Sequence, residues 1–203
     1  MFSAKLDRQI KRTVLIGLTL LGVGAAVFYF ARHPSWMDVG YRPQQPVPFD
    51  HSIHAGNLKI ACVYCHTSVE TSAHSTVPPT QTCMNCHVIV KRDSPKLKLV
   101  RESYETNTPI PWIRIHKLPD YAFFNHSRHV SAGIDCASCH GEVEKQAVVV
   151  QKKPLTMGWC LDCHRDPDTY SIRTRAITGA DVRPEVLARP LNKGPENCST
   201  CHH

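Results

Sequence analysis

Aromatic side chains are scarce in this chain, only 7% of 203 residues, while prolines number 15. That pairing argues against a fold of long regular elements and implies many turns. Acidic residues are also few: 17 Asp and Glu face 24 Lys and Arg, a formal charge of +7. Such a balance would suit a nucleic-acid partner, but no nucleic-acid-binding motif and no basic stripe accompanies it, so that class is excluded. No pattern of convergent acids and bases marks an enzyme site. Nor does any cysteine stand outside a motif.

All 10 cysteines fall into five copies of Cys-x-x-Cys-His. The copies are Cys62-Cys65-His66, Cys83-Cys86-His87, Cys136-Cys139-His140, Cys160-Cys163-His164 and Cys198-Cys201-His202. Two thiols at this spacing can each form a thioether to one vinyl group of a haem, and the adjacent histidine then lies under the iron as its proximal ligand. Zinc ribbons need no histidine after each second cysteine. A disulfide framework would not enforce the tripeptide, and a redox dithiol enzyme has one such pair. The expected cofactor is therefore haem c, five per chain.

Residues 13–31, TVLIGLTLLGVGAAVFYFA, run for 19 residues without a charge between Arg12 and Arg32. At about 1.5 Å per residue they just span a hydrocarbon core of about 30 Å. Lys5, Arg8, Lys11 and Arg12 precede them against a single Asp7, so residues 1–12 are expected in the cytoplasm and residues 32–203 on the outer, periplasmic face of the cell membrane. A cleaved signal peptide is the alternative, but its apolar region is shorter and ends in small residues. This one ends in Phe28, Tyr29 and Phe30. Gly22 and Ala26 form a small-xxx-small pair that could pack on a partner helix.

About 170 residues remain to hold five haems, too few for a core of the usual kind. The porphyrins are expected to be the core, with mostly irregular and α-helical chain around them. An internal repeat organises it. Residues 49–66, FDHSIHAGNLKIACVYCH, and 124–140, FNHSRHVSAGIDCASCH, share Phe, a polar residue, His-Ser-x-His and a haem motif. The two dihaem repeats are expected at 45–90 and 120–168, with the fifth motif at 198–202 as an addition. Between them, Ser94 and Pro95 open a short amphipathic helix over 95–106 with Leu97, Val100 and Tyr104 on one face. Residues 112–118 read as extended, 147–150 as a short strand, and 184–189 as one or two helical turns.

Eight histidines are not proximal. His51, His54, His126 and His129 form two His-x-x-His pairs at matching offsets and are expected as distal iron ligands. For the remaining iron His116 is the candidate, with Met157 its rival; a thioether ligand would raise that haem's potential. His33, His74 and His203 read as solvated. The ten propionates would bring on the order of −10 charges, and Arg114, Arg128 and Arg165 are candidates to pair with them.

The Phe-x-His-x-x-His units followed by Cys-x-x-Cys-His resemble class III, cytochrome c3/c7-type, small multihaem cytochromes. In that family the first histidine of a pair serves the following haem and the second reaches another. The resemblance implies His51 for the Cys62/Cys65 haem and His126 for the Cys136/Cys139 haem. The whole chain resembles the pentahaem, membrane-anchored subunit of alternative complex III. The single anchor, the five motifs, PWIRIHKLPDYAFFNHSRHVSAGIDCASCHG at 111–141 and PLTMGWCLDCHR at 154–165 carry that likeness; the tail over 168–197 carries least. It implies an electron-transfer subunit, not an enzyme by itself, in a quinol-oxidising respiratory or photosynthetic complex. The implied partners are an iron–sulfur, molybdopterin-like subunit, a monohaem cytochrome c and polytopic quinol-binding subunits. Rivals are a stand-alone tetrahaem-type quinol dehydrogenase, against which the five motifs and duplicated pairs argue, and a reductase with an open haem, for which no Cys-x-x-Cys-Lys variant is present.

Overall fold

The computed structural model of the protein describes residues 3–32, 38–174 and 178–202. His33 and His203 lie outside them. The fold is helical and irregular, and among the described residues it holds no strand, only isolated bridges of Ala122 with His202 and Ile134 with Arg173.

Helix α1 is Ala4–Arg32. It is long and apolar enough to cross a membrane. It begins earlier than the uncharged run, because Lys5, Arg8 and Lys11 are good helix formers and Lys11 pairs with Asp7 one turn back at 2.7 Å. Beyond α1 the elements are short, and five of them are built on the haem motifs. These are α2 (Cys62–Cys65), α3 (Thr80–His87), α6 (Cys136–His140), α7 (Met157–Arg165) and α10 (Cys198–Cys201). The others are α4 (Lys98–Thr106), α5 (His126–Ser131), α8 (Pro167–Tyr170), α9 (Pro184–Leu187), a π-helical turn at Ser52–Asn57 and 3₁₀ turns at Pro95–Leu97 and Val143–Lys145.

The helix expected over 95–106 forms in two parts, a 3₁₀ turn opened by Pro95 and then α4, which ends at Asn107 in the left-handed conformation (φ 52°). Its inner face is Val100 and Ser103, while Tyr104 is exposed. Ser103 faces in because its hydroxyl donates to Thr108 O at 2.6 Å and meets Thr80 Oγ1 at 3.2 Å, so α4 braces α3. The strand expected at 147–150 does not form. The Val150 N–H is taken by the Gln146 side chain at 3.0 Å, and backbone pairing begins only at Gln151, which exchanges two bonds with Gly40 and Tyr41. The 184–189 segment makes one turn, α9. Residues 112–118 are non-helical and tied to Gln45, whose amide bonds both N–H and C=O of Ile113 at 2.9 Å.

The polypeptide buries little apolar surface of its own. Val47, Val69, Val100 and Ala137 are the buried hydrophobic residues among those described. At roughly 2 kcal/mol for a buried valine, they cannot offset the entropy of ordering so long a chain. Accessible surface totals 14422 Å² for 22.8 kDa, against about 9,600 Å² for a compact protein of that mass. Buried polar groups do much of the stitching instead. Asp135 caps α6 by accepting from Ala137 N–H at 2.8 Å, and it takes the Thr178 hydroxyl at 2.5 Å. Gly56 lies so close to the Glu144 carbonyl that no Cβ would fit, which brings the π turn against the 3₁₀ turn at Val143–Lys145.

Asp135→Ala would remove a helix cap and leave the buried Thr178 hydroxyl unpaired, at a cost of about 2 kcal/mol. The expected result is a melting temperature lower by about 4–8 °C in differential scanning of the detergent-solubilised protein; an unchanged melting curve would refute this account of Asp135.

Candidate functional site

Each His-x-x-His pair is built the same way. In the first repeat Asp50 Oδ1 accepts from both Ser52 N–H (2.8 Å) and Ser52 Oγ–H (2.6 Å). In the second, Asn125 Oδ1 does the same for Ser127, at 3.0 and 2.7 Å. These turns start the helical segments that carry His54 and His129. The serine bond also holds the Asp50 carboxyl below its usual range. Phe49 then stacks on His54 (4.4 Å, 24°) and meets His51 edge-on (4.7 Å, 85°). Phe124 stacks on His129 (4.4 Å, 27°) and meets His126 edge-on (4.7 Å, 89°). The repeated grammar of Phe, polar residue, His-Ser-x-His is thus a device that aims two imidazoles from one turn. The repeat contained that signal, but reading it as ligands alone missed the roles of Phe49, Phe124, Asp50 and Asn125.

The second histidine of each pair faces the proximal histidine of the second motif in its repeat. His54 lies opposite His87, and His129 opposite His164, both with ring centres 6.2 Å apart. Two imidazoles on opposite sides of one metal, with metal–nitrogen bonds of about 2.0 Å, have ring centres on the order of 6 Å apart. The rings therefore fit an axial pair about an iron.

Tautomers agree with this. Nδ1 meets a main-chain carbonyl in His54 (Asp50 O, 2.8 Å), His66 (Thr76 O, 3.0 Å), His87 (Val90 O, 2.8 Å) and His126 (Ala73 O, 2.8 Å). It does so also in His129 (Asn125 O, 2.8 Å), His164 (Pro195 O, 2.7 Å) and His202 (Tyr121 O, 3.1 Å). A carbonyl only accepts, so Nδ1 carries the proton and Nε2 keeps a lone pair for a metal. Burial keeps several rings neutral as well. It lowers the His51 pKa to about 4 and His140 to about 3, each with help from neighbouring histidines, and it lowers His116 and His129.

His51 and His66 lie within electrostatic reach of one another, and His140 has His116, His126 and His66 around it. His116 has a buried Nε2 with no hydrogen-bond partner. Its ring stands edge-on to His140 at 4.3 Å, too close for an iron between those two. The ring beside His202 is Tyr121, at 5.7 Å. Met157 opens α7 and is 64% exposed, and His74 is exposed. Of the arginines expected to meet propionates, Arg165 pairs with Glu196 at 2.8 Å and Arg114 donates to the His116 carbonyl at 3.0 Å.

None of the ten cysteines is in a disulfide, and with haem attached they would stand as thioether sulfurs. Their contacts give the motifs a spatial order. Burial raises the Cys65 thiol pKa, and nearby Cys83 and Cys86 raise it further, so the first and second motifs are neighbours. Cys136 and Cys62 lie within side-chain hydrogen-bond reach, joining first to third, which raises Cys136 and lowers Cys62. Burial pushes Cys139 up to about 12 with Cys163 and Cys160 beside it, and Cys160 feels Cys201. In space the motifs therefore run second, first, third, fourth, fifth.

Comparison with known proteins adds to this geometry. Residues 122–203 match the family model described as cytochrome c7 and related cytochrome c. Over 150 residues, 64% of this chain and 71% of the relative, the sequence is 28% identical to the menaquinone reductase, multiheme cytochrome c subunit, of Nitratidesulfovibrio vulgaris. Residues 122–203 thus form a cytochrome c7-like multihaem domain, in a chain related to that multihaem cytochrome c subunit.

Proposed function

We propose that the protein is a membrane-anchored pentahaem cytochrome c, the electron-transfer subunit of a quinol-oxidising complex of the alternative complex III type. The observation that carries this reading is the matched pair of facing imidazoles, His54 with His87 and His129 with His164, both at 6.2 Å. The cysteines of the five motifs hold five haems c; His66, His87, His140, His164 and His202 are the proximal ligands. His51, His54, His116, His126 and His129 are the distal ones. The unpartnered, buried Nε2 of His116 supports its inclusion. Bound haem supplies an iron that gains and loses one electron. The chain supplies the rest: it ties Nδ1 of seven of these imidazoles to main-chain carbonyls, and it sets the motifs in single file.

Helix α1 is the anchor, with its basic end in the cytoplasm and the haem domain on the outer face. One spanning helix is too little to enclose a quinone, so quinol oxidation belongs to partner subunits: polytopic membrane proteins, an iron–sulfur, molybdopterin-like subunit and a monohaem cytochrome. The relative's name, a menaquinone reductase subunit, supports a quinone-linked complex. Electrons would pass along the file between the iron–sulfur partner and an outer acceptor.

Intact mass of the mature protein tests attachment and anchor together. The expected value is the chain with α1 retained plus five haems. A smaller haem count, or loss of the first ~25–30 residues as a signal peptide, overturns the corresponding part.

Ligation has a spectroscopic test. Crossed axial imidazole planes leave two iron d orbitals nearly degenerate, and parallel planes split them. The 65° pair of His54 and His87 should give a strongly anisotropic low-spin ferric signal, and the 28° pair of His129 and His164 a rhombic one. His54→Ala should abolish the first and His129→Ala the second, each with one new high-spin iron. Spectra unchanged by either substitution would refute the assignment.

The complex itself is tested by purification in mild detergent. Quinol oxidation should follow co-purifying partners, while the separated subunit accepts electrons from artificial donors only. Robust quinol oxidation by the separated subunit would instead favour a stand-alone quinol dehydrogenase.

A further inference from the structure

An axial imidazole has a plane as well as a position, and what holds its Nδ1 tunes its strength as a donor. For His66 and His87 the carbonyl on Nδ1 comes from the loop just after the motif, ten and three residues on. His164 is served differently. Its acceptor, Pro195 O, lies 31 residues downstream, at 2.7 Å. The neighbouring residue, Gly194, donates its N–H to the His164 carbonyl at 2.8 Å. The imidazole lies flat against Gly194, where a Cβ would overlap Cγ and come within 2.6 Å of Cδ2 and 2.8 Å of Nδ1. The next residue, Glu196, takes the Arg165 guanidinium at 2.8 Å. Three consecutive residues of the non-helical arm 191–197 thus grip the last two residues of α7.

Both ends of the arm are tied. Leu191 N–H donates to Asp168 Oδ1 at 3.3 Å upstream. Downstream, Phe123 N–H donates to Cys201 O at 2.8 Å and Ala122 bridges His202. The arm cannot slide without moving the fifth motif.

We infer that Gly194, Pro195 and Glu196 are positioning residues for the fourth iron site: they set the plane and the Nδ1 hydrogen bond of His164, and so couple that site to the seating of the fifth motif. The inference rests on reading His164 and His129 as an axial pair. Gly194 keeps the His164 plane within 28° of His129. The short bond to Pro195 O gives the imidazole more anionic character, which favours ferric iron and lowers the potential of that site.

The test uses the full chain in detergent, with ferric electron paramagnetic resonance and a potentiometric titration. Gly194→Ala must push the ring away. The expected result is a shift of the rhombic signal's g-values and a rise in that component's midpoint, with the strongly anisotropic signal unmoved. Gly158→Ala, in the same helix but with nothing within 4 Å of its added methyl, should leave both signals in place. Glu196→Gln loosens the clamp from outside the fold and should move the same component by less; if Gly194→Ala does not fold, this variant alone decides. Spectra and midpoints like the parent's in Glu196→Gln and in any folded Gly194→Ala protein overturn the clamp. A rhombic signal that survives His129→Ala overturns the axial-pair reading, and the clamp with it.

Discussion

An imidazole with Nδ1 tied to a main-chain carbonyl is the constraint from which much of this structure follows. Seven rings meet it. A carbonyl turned toward a ring is poorly placed to accept in a helix ladder as well. For five of these rings, His66, His87, His126, His164 and His202, the acceptors belong to Thr76, Val90, Ala73, Pro195 and Tyr121, and none of those residues lies in a helix. Irregular chain is therefore needed beside each such histidine. The scarcity of regular structure is a consequence of imidazole positioning, beyond what the proline content imposes.

The same constraint explains what is buried. With so few apolar side chains inside, the described chain is held by polar bonds between distant segments: Asp135 to Thr178, Gln45 to Ile113, Ser103 to Thr80 and Thr108. Each contributes about 1 kcal/mol net, enough to choose among loop paths but not to provide a core. Porphyrins of the size these motifs accept would supply the missing apolar volume, and the polar bonds would then fix which loop faces which ring.

The motif-bearing part of this arrangement was legible in the sequence because covalent chemistry fixes spacing. Cys-x-x-Cys-His leaves no freedom, and the duplicated His-x-x-His units announce themselves by recurrence. What stayed illegible depends on contacts between residues far apart in the chain. Residues 147–150 read as a strand from their β-branched composition, yet a strand needs an edge, and the Gln146 side chain takes the Val150 N–H first. His116 could be nominated as a ligand, but its place against His140 depends on how Gln45 holds Ile113. The 168–197 tail offered no motif, although Gly194 in it touches an imidazole; a glycine required by a neighbour's ring looks, in sequence, like any loop glycine.

Duplication also explains the order of the motifs in space. Within each repeat the second histidine of the pair reaches the second motif, so each repeat has an inner member, which follows its own His-x-x-His, and an outer one. The repeats meet through their inner members, where Cys136 and Cys62 lie within side-chain hydrogen-bond reach. Two such units joined at that contact give second, first, third, fourth, a file whose two ends are equivalent by construction. Equivalent ends cannot tell one partner from another. The fifth motif breaks that equivalence, because it extends the file only beyond the fourth, where Cys160 feels Cys201. The second motif ends instead in Val88, Ile89 and Val90, all exposed, followed by Lys91 and Arg92. One terminus of the file is thus an apolar loop with a basic edge, and the other is a motif carried on an arm tied to the fourth. That chemical difference makes the two ends of a duplicated, otherwise symmetric file distinguishable.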